Sequence, residues 1–134
     1  MTSDLPRNEV PSPPPSGSRH CLVTGGSGFL GINLIRRLLQ DGWTVRSLDI
    51  APFDYPERPR VDAIQGDVRD PAAVERAMRG VDCVVHCAAA LPLAPAPEIL
   101  STAVAGTHLL LQEARRRRVA RFVFISSTAV YGIP

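Results

Sequence analysis

The 134-residue sequence contains no lysine, and all fifteen of its basic residues are arginine. Any mechanism that requires a lysine therefore cannot be completed within it. Aromatic residues are scarce, at 5%. No apolar run approaches the ~20 residues that a membrane helix needs, and the N-terminus lacks the charged-then-apolar order of a secretory signal, so the expected setting is cytoplasmic with no membrane partner. The three cysteines, Cys21, Cys83 and Cys87, form no CxxC pair and have no histidine at ligand spacing, so no metal is expected. Along one strand Cys83 and Cys87 would stand ~13 Å apart at ~3.3 Å per residue, beyond the reach of a disulfide. All three read as reduced core thiols. The excess of positive charge is small too: the net charge is +2, and without the run Arg115, Arg116, Arg117 and Arg118 the balance would turn negative. That local excess is not the spread field that a nucleic acid needs.

What is present suits one globular domain. Hydrophobic residues make up 45% and charged residues 21%, and a chain of this length buries roughly two-thirds of its unfolded surface. Residues 1–18, with Pro6, Pro11, Pro13, Pro14 and Pro15 among serines and charges, read as a disordered tail because proline removes backbone donors. From there short apolar runs alternate with helical periodicity. "HCLVT", "TVRSLDI", "VDAIQ", "DCVVHCA" and "RFVFISS" read as five strands. Ile32, Ile35, Leu38 and Leu39 mark a helix stopped at Asp41 and Gly42, and Asp70 with Pro71 caps a second. Leu100, Ala103, Val104, Thr107, Leu111 and Ala114 read as one face of a long third helix. The three prolines of "APFDYPERPR" forbid a helix there. Strands that are apolar throughout belong to a parallel sheet covered on both faces, so the expected fold is α/β, a Rossmann-type doubly wound parallel sheet over residues 19–134.

Between the first strand and the first helix lies "TGGSGFLG", with Gly25, Gly28 and Gly31 at TGxxGxxG spacing. In that context the first glycine permits the tight turn, the second lets backbone approach a pyrophosphate, and the third lets the helix pack closely. Helix N-terminal amides then face the phosphates. Asp49, eighteen residues beyond Gly31 at the end of the second strand, is placed to accept both hydroxyls of an adenosine ribose. Its charge opposes a 2′-phosphate and Ile50 beside it offers no cation, so NAD is expected over NADP.

Taken in order, TGGSGFLG, Asp49, "GDVRD", "VVHCAA" and "FISSTAVYG" resemble the N-terminal half of the extended short-chain dehydrogenase/reductases, the NAD-dependent epimerase/dehydratase group, over residues 20–134. The resemblance implies that Gly25, Gly28, Phe29, Leu30 and Gly31 bind the pyrophosphate and that Asp67 and Val68 contact the adenine. Cys87, Ala88 and Ala89 match a stretch of small residues that passes under the cofactor. Ala103 stands where the family usually has asparagine. His86, inside a predicted buried strand, reads as a core histidine and not as an acid or base.

The family abstracts a substrate proton with a tyrosine and a lysine four positions later, the lysine favouring phenolate. Ser127 matches the serine or threonine that fixes the substrate hydroxyl, whereas Tyr131 matches a tyrosine that precedes the catalytic one. The sequence stops three residues after Tyr131. The expectation is thus the NAD-binding portion of an oxidoreductase acting on a secondary alcohol, a small-molecule substrate of nucleotide-sugar type, inactive alone and truncated before the later strands. Hydroxysteroid-dehydrogenase-like parents share these motifs, and a non-catalytic NAD-binding sensor module is the alternative. "RFVFIS" would form a hydrophobic edge, where self-association is expected.

Overall fold

A computed structural model describes residues 19–90 and 93–127, with Gly17 and Gly132. Five strands, β1 (His20–Thr24), β2 (Thr44–Asp49), β3 (Val61–Gln65), β4 (Cys83–His86) and β5 (Arg121–Phe124), form one sheet in the order β3-β2-β1-β4-β5. Every pairing is parallel, with Cys21 opposite Val45 on one side and Cys83 on the other. The order reverses between β1 and β4, which opens a crevice at the carboxyl ends of the strands, where ligands of such sheets bind. The strands end earlier than their apolar runs suggest, because the chain turns away at this mouth. Cys87, Ser126 and Ser127 all lie beyond them, although the Ile125 N–H still reaches His86 O at 3.1 Å.

Both faces of the sheet are covered. Cys21, Val23, Val45, Val61 and Val85 pack under Ile32, Ile35 and Leu39 of α1 (Phe29–Gln40). On the other face Leu22, Leu48 and Val84 meet α2 (Pro71–Ala77) and α4 (Thr107–Arg116) through Val74, Ala77, Leu110 and Ala114. This accounts for the absence of in–out alternation: each side of β1 contributes to a separate core. All three cysteines are free. No helix among the described residues is long and apolar enough to cross a membrane.

Local chemistry sets the ends of the helices. The Asp70 carboxylate accepts the Ala72 N–H at 3.1 Å and Pro71 sits where its missing donor is not needed. α1 closes in a Schellman motif, with Trp43 N–H to Leu38 O at 2.9 Å and Gly42 N–H to Leu39 O at 3.3 Å. α4 closes the same way, Val119 N–H reaching Ala114 O at 2.9 Å, but the left-handed position is held by Arg118 at φ 56°. A side chain in that conformation costs about 1 kcal/mol or more. Arg118→Gly is therefore expected to raise the unfolding free energy in urea by about 1 kcal/mol. An unchanged or lower midpoint would contradict this account of the cap.

Two expectations change in detail. The proline-rich loop after β2 holds one short 3-10 turn, Arg58–Arg60, which accommodates proline near its start. The long helical stretch is interrupted: α3 (Ala96–Leu100) and α4 are joined by a π-helical turn, Ser101–Gly106. Widening that turn rotates the buried face, so Gly106, Leu110 and Ala114 face inward while Leu100, Val104 and Leu111 are exposed. Gly106 must face inward because a Cβ there would stand 2.7 Å from Val68 Cγ2.

Candidate functional site

The crevice at the mouth of β1–β4 holds a cavity of about 400 Å³, within the range of small-molecule sites. Its floor is the glycine turn. Gly25 adopts φ 71°, and a Cβ there would lie 2.8 Å from Ala88 N, so only glycine lets the exits of β1 and β4 meet. Gly31 sits against the same turn, a Cβ being 2.1 Å from Gly25 O. α1 is thereby pressed onto the turn with its N-terminus at the crevice. Its first intrahelical bond runs from Ile32 N–H to Gly28 O at 2.9 Å. The amides of Phe29, Leu30 and Gly31 precede that ladder and carry the positive end of the dipole. Gly28 lines the cavity, and a Cβ on it would contact only Gly25 O, at 3.3 Å. The turn thus leaves an open cradle in front of helix amides, which fits a diphosphate.

Asp49 faces this cradle. One carboxylate oxygen, Oδ2, accepts the Ser27 N–H at 3.0 Å and the other, Oδ1, accepts the Ala51 N–H at 2.9 Å. A carboxylate offers about four acceptor positions, so about two remain for the hydroxyls of a ribose. Tyr55 reinforces the arrangement by donating its hydroxyl to Ser27 O at 2.6 Å. Asp67, Val68, Cys87, Ala88 and Ala89 also line the cavity. The Asp67 carboxyl is held below its ordinary range, chiefly by the Arg69 guanidinium hydrogen-bonded to it.

Other expected positions lie elsewhere. The Phe29 side chain is 88% exposed and Leu30 49%, so whatever they contribute comes from their amides. Ser127 is exposed beyond β5 and does not line the cavity, and Tyr131 falls outside the described residues. His86 is buried, with Nδ1 2.6 Å from Thr24 Oγ1 and Nε2 2.9 Å from Thr107 Oγ1, while Thr24 Oγ1 accepts the Ala88 N–H at 3.2 Å. Both ring nitrogens are engaged beneath the cavity, and desolvation brings the pKa down from 6.5 to about 4. Sequence reading passed over Ser27, Tyr55, Arg69 and Thr102. Asp67 and Arg69 carried a local signal, since an aspartate two residues before a donor amide makes an Asx turn. Tyr55 and Thr102 carried none, because they reach the site only through tertiary packing.

Residues 21–134 match the model of the NAD dependent epimerase/dehydratase family. The sequence is 38% identical over 117 residues to a 3 beta-hydroxysteroid dehydrogenase/isomerase of Mycobacterium tuberculosis, covering 81% of this chain and 32% of that protein. Among solved structures it is similar to a short-chain dehydrogenase/reductase superfamily protein of Agrobacterium tumefaciens with bound NAD, with a TM-score of 0.78 at 34% identity over 85% of this chain and 34% of that one. A UDP-glucose 4-epimerase of Bifidobacterium longum in complex with NAD+ and UDP gives a TM-score of 0.77 at 32% identity, covering 86% of this chain and 39% of that one. The chain spans about a third of the length of these relatives. On the match over residues 21–134, borne on a parallel sheet of order 3-2-1-4-5, the chain belongs to the NAD-dependent epimerase/dehydratase family.

Proposed function

We infer that these residues bind NAD and form the dinucleotide-binding portion of an oxidoreductase that acts on a secondary alcohol. The observation that carries this reading is the open cradle at Gly28 facing a carboxylate whose remaining acceptors suit a ribose. Bound there, NAD supplies a hydride acceptor. The amides of Phe29, Leu30 and Gly31 hold the diphosphate, Asp49 holds the adenosine ribose, and Asp67 with Val68 receives the base. Cys87, Ala88 and Ala89 leave room for the cofactor by being small. Ser127 is assigned to fix the substrate hydroxyl. Turnover is taken to need a tyrosine–lysine pair that these 134 residues, without lysine, do not contain. A cytoplasmic setting suits three free thiols.

A nucleotide sugar is the first substrate reading, supported by the epimerase relative with UDP. A sterol alcohol is the second, supported by the higher identity to the mycobacterial hydroxysteroid enzyme. Calorimetric titration with NAD tests the core of the proposal. Saturable binding is expected, with NADP weaker, and Asp49→Ala is expected to lower NAD affinity about tenfold or more by removing two charge-assisted hydrogen bonds. Equal affinity of the native chain and Asp49→Ala would refute the assignment of the ribose to Asp49.

A further inference from the structure

The cavity lies at the carboxyl ends of the strands, and two of the three free thiols lie at the other end. Cys21 of β1 and Cys83 of β4 are register partners on adjacent parallel strands. In-register residues of a parallel pair point to the same face, and both cysteines pack in the core under α1. Neighbouring strands stand ~4.8 Å apart, inside the ~4.4–6.8 Å that separates the Cα atoms of a disulfide. Cys87 is four residues further along the chain, ~13 Å from Cys83 and out of reach. Cys21 is 1% exposed, whereas Cys83 is only partly buried. One thiol of the pair therefore meets solvent and the other stands behind it.

The surroundings make the two thiols unlike. Cys83 has Cys21 beside it on β1, Arg121 opposite it on β5 and Asp82 before it in sequence. The Cys21 thiol, hydrogen-bonded to it, and then the Arg121 guanidinium bring its pKa from 9.0 down to about 7, against burial and the Asp82 charge. That same hydrogen bond, followed by burial, holds Cys21 up. Leu22 O, 3.8 Å from the Cys21 sulfur, is a second acceptor within its reach. Burial raises Cys87. A partly exposed thiolate in a positive setting is the reactive form of cysteine.

We propose that Cys83 and Cys21 form an oxidation site, in which a hydroperoxide oxidises Cys83 and Cys21 resolves the product to a disulfide linking β4 to β1. The Cys83 thiolate attacks a peroxide oxygen: an S–O bond forms, the O–O bond breaks, and the departing oxygen takes a proton from water. The sulfur is oxidised to a sulfenic acid and the peroxide is reduced to an alcohol or water. Cys21 then gives up its proton as its sulfur attacks that of Cys83. An S–S bond forms, the S–O bond breaks, and the hydroxyl leaves with the proton as water. The first step prepares the second, because losing the Cys83 charge removes the main cause that held Cys21 up. The site is separate from the cavity and does not depend on what binds there.

The test treats the folded 134-residue chain with hydrogen peroxide and follows intact mass and peptide maps. The native chain and Cys87→Ala are expected to lose two hydrogens, to yield a Cys21–Cys83 linked peptide, and to recover both thiols in dithiothreitol. Cys21→Ala is expected to stop at a sulfenic acid on Cys83 that dimedone traps, and Cys83→Ala to keep its remaining thiols. In the native chain iodoacetamide is expected to modify Cys83 about tenfold faster than Cys87 at neutral pH. Circular dichroism melts report whether each variant is folded, and the linked peptide is read on the native chain without any substitution. Three free thiols after peroxide treatment would overturn the proposal, as would a link that includes Cys87 or joins two chains. A sulfenic acid that persists on Cys83 of the native chain would remove the role of Cys21, and equal alkylation of Cys83 and Cys87 would remove that of Cys83.

Discussion

Gly28→Val is expected to weaken NAD binding by at least about 100-fold, about 2.7 kcal/mol, while the chain melts within a few degrees of the native protein. The separation follows from where the added atoms go. Gly28 has φ −82° and ψ 171°, extended backbone that valine adopts readily. Its Cβ would touch only Gly25 O at 3.3 Å, so the branched side chain fills the cradle in front of the helix amides and not the core. Gly31→Ala is the contrasting case. There a single methyl would stand 2.1 Å from Gly25 O and 2.7 Å from Gly26 Cα, both backbone, and α1 must move off the turn to admit it. Binding and stability are then lost together. Calorimetry paired with thermal melts distinguishes the two, and a Gly28→Val chain that binds NAD like the native one would show that the diphosphate does not lie over this turn.

Acidification from pH 6.5 to about 4 is expected to remove about 3 kcal/mol of stability through His86 alone. Above pH 6.5 the imidazole is neutral in both folded and unfolded chains and makes no pH-dependent contribution. Below it the unfolded chain takes up a proton, whereas the folded chain, with its pKa brought to about 4 by burial, does not. Proton uptake therefore favours unfolding until the folded protein also titrates near pH 4, where this loss ends. Carboxylates act at lower pH. Glu113, held at about 2 by hydrogen bonds from Arg116 and Arg117, stabilises the fold above its ordinary 4.5 and gives that up as pH falls toward 2. Urea midpoints measured against pH for the native chain and His86→Gln check the assignment. The variant should lose the slope between pH 6.5 and 4 and keep the acid limb. Identical slopes in the two proteins would mean that another group is responsible.

The parts of the fold that were legible in the sequence are those set by neighbouring residues. A strand buried on both faces is apolar along most of its length, so β1 and β4 announce themselves as "CLV" and "CVV", and the glycine turn is contiguous. The Asp70–Pro71 helix start and the Gly42 stop are local for the same reason. The buried face of the last helix was not legible. Its phase is set by a π-helical turn that brings Gly106 against Val68, a contact between residues far apart in sequence. At the cavity, the positions of Gly28, Asp49 and Asp67 could be read from the chain, but their hydrogen bonds could not. Tyr55 reaches back to Ser27 from a loop whose composition signals only turns, and Ser101 meets Arg69 across the crevice.

The central place of β1 has a kinetic consequence. Of the five strands it is made before the others, yet it waits for one of its neighbours, β4, which arrives 62 residues later, the separation between Thr24 and His86. Closing so long a parallel pairing requires loop entropy to be surrendered before the contact forms, which makes such sheets slow to assemble. The parallel β1–α1–β2 unit can form early with only one side of β1 satisfied. Until β4 has been made, one edge of a strand that ends up almost wholly buried stays open to wrong partners.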